Sequence, residues 1–260
     1  MKLRATVRSL GKRAVVGTPL EPPICWLIAA SHGREELLNY RYDRETLAVM
    51  RRVLRRDSVC VDVGANVGSI LDQMFALAPE GLHFAVEPIP GLAEGLRKKY
   101  AGRDNVIVVQ SALGAVSGRE PFCLVPDNPG LSGMLRTDCV PPQCKVGMID
   151  VTVRRLDDVV EDATVDFIKI DVEGAELRVF AGASQTLGRC RPVVVFEHGL
   201  GAADVYDARP SRKLFDLVVG EYGMRISLMK DWLRGRAPLS AAEFDERFQR
   251  HCGVYYIAHY

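Results

Sequence analysis

Apolar residues along this chain fall alternately into short continuous runs and into helical spacings. Runs at 57–63, 82–87 and 105–110 read as buried strands, and the segments between them, 66–78 and 90–100, carry a three-to-four-residue apolar period. That alternation predicts parallel strands joined by right-handed crossovers. The rhythm breaks beyond 110. Strand-like runs at 121–125 and 149–153 flank a stretch, 126–147, that holds Pro126, Pro129, Pro141 and Pro142 and has no helical period. An inserted hairpin, or a lid over the sheet edge, is expected there. Regular alternation resumes with 156–160, a strand at 165–170, a helix at 175–181, a strand at 192–196 and a helix at 212–219. The closing runs, 224–228 and 254–257, predict an antiparallel hairpin at the sheet's end. The expected fold class is therefore α/β, a doubly wound, mostly parallel sheet with an antiparallel terminal hairpin and an inserted β-hairpin or lid.

Residues 1–56 read differently, as a basic arm, a Pro-punctuated loop and a helix. They hold twelve Lys/Arg against five Asp/Glu, although the whole chain is nearly neutral at +1. The division expected is a basic N-terminal cap, 1–56, on the substrate side of a catalytic domain, 57–260. Arg51, Arg52, Arg55 and Arg56 lie near the end of the helix, where cations suit the helix dipole. At 260 residues with 48% hydrophobic and 26% charged side chains, the composition is that of a folded enzyme and excludes a disordered or fibrous chain. Near-neutral charge argues against nucleic acid as the partner, and the basic residues are not interleaved with stacking aromatics. Seven scattered cysteines form no CxxC pair, which suits a reducing cytoplasm. The apolar stretch 24–30 is short for a signal peptide, and nothing approaches the roughly 20 apolar residues of a membrane span.

The chemistry begins at VDVGANVG, residues 61–68, where a strand runs into a helix. Gly64 and Gly68 allow a sharp turn and close approach to a ligand, and the helix start offers unpaired N–H groups. Asp62 discriminates among cofactors: it would repel a pyrophosphate and attract the ammonium and sulfonium of S-adenosylmethionine (SAM). Glu87 ends the second strand, 23 residues beyond Gly64, where a ribose-binding carboxylate belongs. The densest cluster is Asp166-Phe-Ile-Lys-Ile-Asp-Val-Glu-Gly174. Lys169 lies inside a buried strand and should meet a carboxylate, with Asp62 or Asp171 the natural partner. Asp171 and Glu173 fall at the ligand edge of the sheet, and the next strand delivers Glu197 and His198 there.

With these residues in view, the chain closely resembles the FkbM family of SAM-dependent methyltransferases. VDVGANVG at 61–68, VEP at 86–88, SALG at 111–114, RLDD at 155–158, KIDVEGAEL at 169–177, AGA at 181–183 and VFEH at 195–198 carry the resemblance in family order. It implies a class I Rossmann-like fold and methyl transfer from SAM, mostly onto hydroxyl oxygens of sugars, polyketides or other natural products. It further implies that Asp62, Gly64, Asn66 and Gly68 shape the methionine end of the cofactor site, that Glu87 holds the ribose, that Ser111 and Ala112 lie beside the adenine, and that Asp171 faces the methionine or the reaction centre. Gly130-Leu-Ser132-Gly-Met134 resembles the family's small-residue loop but lacks its doubled serine.

Methyl transfer to an alcohol needs alignment and a base. His198, with an ordinary pKa near neutrality, is the expected base and Asp171 a positioning group. Asp171, Glu173 and Glu197 could together hold Mg²⁺, yet acids in a SAM pocket have another use, and no metal is expected. The function expected is O-methylation of a small molecule, sugar or glycan in the cytoplasm. A non-catalytic SAM-binding protein is the alternative, and a nicotinamide oxidoreductase is disfavoured by Asp62 and by the absence of GxGxxG.

Overall fold

The computed structural model describes residues 34–137, 140–199, 202–250 and 255–260, with side chains from residue 40 onward. The basic arm expected before residue 34 lies outside these residues. Two compact units divide the chain, Met1–Leu47 and Ala48–Tyr260. The described part of the first is helical and belongs to α1 (Arg34–Val53), where Arg41 and Glu45 pair one turn apart.

The second unit is built on β1 (Cys60–Val63), β2 (His83–Val86), β3 (Val106–Val109), β4 (Ala112–Leu113), β5 (Gly118–Leu124), β6 (Gly147–Arg154), β7 (Phe167–Ile170), β8 (Val193–Glu197), β9 (Arg225–Leu228) and β10 (Tyr255–His259). Seven of these form the main sheet in the order β3-β2-β1-β7-β8-β10-β9. All pairings are parallel except those of β10, which runs antiparallel to both β8 and β9. The chain moves outward from β1 to β3, then restarts at β7 on β1's other side, so the carboxyl ends of β1 and β7 form the topological switch point at which open sheets of this kind bind ligands.

The helices are α2 (Ser69–Leu77), α3 (Pro90–Lys99), α4 (Leu156–Val160), α5 (Glu176–Ala181), α6 (Ser184–Cys190), α7 (Pro210–Phe215), α8 (Met229–Trp232) and α9 (Ala241–Gln249). A wider, π-helical turn, Asp216–Glu221, continues α7. The expected terminal hairpin is corrected in one respect: β9 and β10 do pair antiparallel, but α8 and α9 lie between them. None of the described helices is long and apolar enough to cross a membrane.

The inner strands are buried along their whole length, which is why they read as continuous apolar runs. Val61, Val63, Ile168, Ile170, Val194, Phe196 and Tyr256 share one core cluster with Phe180 of α5 and Phe244 of α9. Alternation sends Asp62 and Lys169 to the other face, directly opposite each other across the β1–β7 pair. The 121–125 and 149–153 runs fall within the hairpin β5–β6, to which β4 adds a third, parallel strand. Its long connection is tied down where it leaves β5. Cys123 and Gly133 exchange backbone hydrogen bonds, the Ser132 hydroxyl accepts from the Val125 N–H, and the Tyr206 hydroxyl accepts from the Leu135 N–H.

The RLDD and AGA tracts interlock with their neighbours, the first with α6 and the second with Gly114. Asp157 of the RLDD tract accepts from the backbone N–H groups of Gln185 and Thr186 and from the Thr186 hydroxyl, capping α6, and pairs with Arg155. Gly182 of the AGA tract packs so tightly on the SALG tract that a β-carbon there would lie 2.1 Å from the Gly114 carbonyl oxygen.

Candidate active site

The glycine turn joins β1 to α2 and is stitched to the end of β2. Gly64 and Ala65 both donate to the Val86 carbonyl, and Gly64 adopts φ 78°. A β-carbon at Gly64 would lie 1.9 Å from the Asp171 carbonyl oxygen, so glycine is required for β1 and β7 to close at this edge. Glu87 braces the turn from β2: one of its oxygens accepts from the Asn66 N–H at 2.8 Å and the other from the Ile89 N–H at 2.8 Å. Burial raises its pKa, and those two amides oppose the rise. Each oxygen keeps a further lone pair for a ligand hydroxyl. Asn66 holds a left-handed φ of 50° beside it. Ser111, just past β3, is buried, and its hydroxyl has no partner. Ala112 is buried next to it.

Asp62 is the anomaly of this edge. It is 1% exposed, and neither carboxylate oxygen has a hydrogen-bond partner. Burial pushes its pKa up to about 6, with Asp171 adding to the rise while Lys169 and the Leu71 amide pull the other way. A buried carboxylate in that condition suits a cationic ligand group, which would supply both the missing charge and the missing donors.

Beside it lies the acidic cluster. Lys169 donates to Asp171 Oδ2 at 2.6 Å, which meets the expectation for a lysine in a buried strand. Burial works against the Lys169 ammonium, but Asp171 and Asp62 raise its pKa overall. Burial would likewise raise Asp171, yet the Lys169 charge and hydrogen bonds from Glu197, Lys169 and Tyr255 hold it below the usual carboxylate range. Oxygens of Asp171, Glu173 and Glu197 lie within 4.8 Å of one another, a spacing that hard cations also use. The Tyr255 hydroxyl bridges the first and last, at 3.0 Å from Asp171 and 3.2 Å from Glu197. Glu197 titrates well above its ordinary value through burial and the negative charge of Asp171. For Glu173, burial and the same neighbour bring the pKa to about 8. Glu173 also sits at φ 53°, followed by Gly174 at φ 98°. The anchored loop borders it, since a β-carbon at Gly133 would touch the Glu173 side chain at 3.4 Å.

His198 departs from this group. Consecutive residues at a strand end face opposite ways, so Glu197 joins Lys169 and Asp171 while His198 follows Phe196 into the apolar layer. Its ring, 2% exposed, is stacked between Phe244 at 5.4 Å and Phe248 at 4.8 Å. Neither ring nitrogen has a hydrogen-bond partner; the nearest acid is Glu176, 4.0 Å from Nδ1.

Residues 62–210, more than half of the chain, match the family model described as the methyltransferase FkbM domain. The chain belongs to the FkbM methyltransferase family. Its cofactor is S-adenosylmethionine, and the orphaned Asp62 and Ser111 and the left-handed turn glycines Gly64 and Gly68, at φ 78° and 76°, fit that group. This FkbM methyltransferase is 29% identical, in an alignment 209 positions long that covers 71% of this chain and 82% of the relative, to the 2-O-methyltransferase NoeI of Sinorhizobium fredii (strain NBRC 101917 / NGR234). It is 28% identical, in an alignment 155 positions long that covers 48% of this chain and 60% of the relative, to the methyltransferase sdnD of Sordaria araneosa. Among solved structures, FkbM from Methylobacillus flagellatus KT aligns over 80% of this chain and 44% of that one, at 18% identity and a TM-score of 0.49.

The structure thus gathers Asp62, Gly64, Asn66, Gly68, Glu87 and Asp171 at one edge and gives His198 an apolar enclosure. Sequence reasoning missed Tyr255 and Glu176. Tyr255 reaches the site from the last strand, across a register no local pattern reveals. Glu176 read as part of a helix start, and its burial at 1% exposure was invisible.

Proposed function

We propose that this FkbM methyltransferase carries out O-methylation, moving the methyl group of S-adenosylmethionine to a hydroxyl of a small molecule, sugar or glycan. In this reading Asp62 meets the cofactor's ammonium, Glu87 its ribose, and Ser111 and Ala112 its adenine, while Gly64, Asn66 and Gly68 shape the turn around it. The single observation that carries it is a buried, unpartnered Asp62 beside three clustered carboxylates at one sheet edge. The 2-O-methyltransferase among the relatives supports oxygen as the acceptor.

Bound there, S-adenosylmethionine supplies a methyl carbon already activated by positive sulfur. What the chain must add is alignment of the acceptor oxygen and a place for its proton. Glu173 is half-buried and has a pKa of about 8, so its carboxylate, formed as the pH approaches that value, can accept that proton. Asp171, already neutralised by Lys169, orients rather than accepts. His198 was the expected base, but a base must come within hydrogen-bond reach of the hydroxyl, and a ring enclosed by Phe244 and Phe248 offers no open atom for it. The described cysteines Cys60, Cys123, Cys144 and Cys190 are free, in keeping with work in the cytoplasm.

The test is a panel of sugars, glycans and hydroxylated metabolites incubated with methyl-labelled SAM, with products read by mass spectrometry. Label in an acid-stable ether on oxygen is expected, and Glu173→Gln should lower kcat by about 10²-fold or more while SAM binding is kept. SAM binding without transfer to any acceptor would favour a non-catalytic binding protein, and transfer to nitrogen would overturn the choice of oxygen.

A further inference from the structure

The side chains behind the acidic cluster form a connected bracket that the chemistry above does not use. Glu176 is 1% exposed, and its Oε1 accepts from the Gly174 N–H at 3.0 Å. That bond closes the turn in which Glu173 and Gly174 are both left-handed. A β-carbon at Gly174 would lie 2.3 Å from the Ala202 carbonyl oxygen, so the turn is also held from outside. The other Glu176 oxygen has no hydrogen-bond partner and faces His198 Nδ1, at 4.0 Å. His198 in turn cannot swing freely. Phe244 and Phe248 flank its ring at interplanar angles of 13° and 25°, and both belong to α9, which opens with a complete Ser240–Glu243 capping box.

The two ends of this bracket are chain neighbours of the site. Glu176 lies three residues beyond Glu173, and His198 directly follows Glu197. A left-handed non-glycine residue is strained and persists only where its surroundings over-determine it, as they do at Glu173. At 4.0 Å the free Glu176 oxygen and His198 Nδ1 are too far apart for a hydrogen bond, so the carboxylate acts on the buried ring through its charge and by packing against it.

Resting on the methyltransferase reading above, we infer that Glu176 and His198 are a buried positioning pair that fixes the Glu173 and Glu197 carboxylates against the acceptor hydroxyl. Neither residue touches substrate or cofactor. Their effect is transmitted through the Gly174 N–H and through the backbone joining Glu197 to His198, and α9 serves as the anvil for the ring.

The experiment uses the full chain with SAM and an acceptor found in the labelling screen, so an inactive wild type would count against the methyltransferase reading and not against the pair. Glu176→Gln keeps an oxygen for the Gly174 N–H but loses the charge facing His198, and Glu176→Ala loses both. Expected are a kcat loss of about tenfold for the first and about 10²-fold for the second, the scale of a reacting group displaced by an ångström or less. SAM affinity should stay within about twofold in both, since Asp62, Glu87 and Ser111 are untouched. The rise of kcat with pH should shift in Glu176→Gln, which a purely structural role would not cause. His198→Gln should cost about as much as Glu176→Gln, and the double variant little more than either, because the two act as one unit. Variants that bind SAM, melt lower and keep the wild-type kcat and pH profile would overturn the inference. So would a dead His198→Gln beside a fully active Glu176→Gln, since His198 would then be the base. Should Glu176→Ala fail to fold, the two isosteric Gln variants decide alone.

Discussion

Two buried aspartates of this chain have opposite surroundings. Asp157, 8% exposed, is surrounded by donors: two backbone amides, a hydroxyl and the Arg155 guanidinium. Asp62, 1% exposed, has no donor in hydrogen-bond geometry at either oxygen, the Leu71 amide and the Lys169 charge acting on it only from a distance. Both lie in the stretch that matches the FkbM family model, so membership in it does not separate them. Hydrogen-bond satisfaction does. A polar group whose needs are met within the fold is there for the fold, as Asp157 is for the start of α6. One left unmet in the interior is costly unless a ligand completes it. The same contrast divides the molecule, with Gly114 and the RLDD and AGA tracts locked against each other on one side and Ser111 and the ends of β1, β7 and β8 on the other.

The comparison is sharpened first by breaking pairs on each side. Lys169→Met would leave Asp171 and Asp62 without their shared cation inside the sheet. Chemical denaturation should register a loss of about 3–5 kcal/mol, with SAM binding impaired in whatever folds. Asp157→Ala strips α6 of its cap and should cost about 2–4 kcal/mol, but the surviving protein should bind SAM as the wild type does. Equal damage to SAM binding by both would erase the distinction between the two regions.

Smaller effects follow from proton linkage. Asp62 and Glu173 are raised to about 6 and about 8 from ordinary values of 3.8 and 4.5, so the folded state binds more protons than the unfolded chain between those limits. Their contribution is complete below about pH 4 and is lost as the pH climbs through 6 and then 8, so the melting temperature should fall over that range. Saturating SAM should flatten the part near pH 6, where a cation favours ionised Asp62. Turnover should move the other way, rising through about pH 8 as Glu173 loses its proton, and Glu173→Gln should abolish that rise. The smallest expected effect is none: a chelator should leave the rate unchanged, because Lys169 and Tyr255 already engage Asp171 and Glu197. Loss of activity with the chelator, restored by Mg²⁺, would assign the three carboxylates to a metal instead.

The parallel sheet was legible because buried strands write themselves as apolar runs, and the switch point followed from where β1 and β7 end. Lys169 was legible too, since a charge in such a strand demands a partner. What could not be read was the fate of side chains whose neighbours come from distant segments. Glu197 and His198 look like one acid–imidazole pair in sequence, yet the pleat turns them to opposite faces, and only the position of α9 reveals that the His198 side is sealed by Phe244 and Phe248. Tyr255 reaches Asp171 through the antiparallel β8–β10 register, which depends on β9 and on α7, α8 and α9 between the two strands. The strand-terminal acids announced themselves; the groups that hold them did not.

The central claim, that Asp62 is left unsatisfied by the fold because the cofactor completes it, is tested most directly by titration calorimetry of SAM into the wild type and Asp62→Asn, with the melting temperature of each measured without ligand. Removing a buried, charge-assisted contact should weaken SAM by about 10²-fold, roughly 3 kcal/mol, while the ligand-free variant melts no lower than the wild type because a buried carboxylate without hydrogen bonds is gone and Lys169 keeps Asp171. Unchanged SAM affinity, or a collapse in melting temperature like that expected for Asp157→Ala, would contradict it.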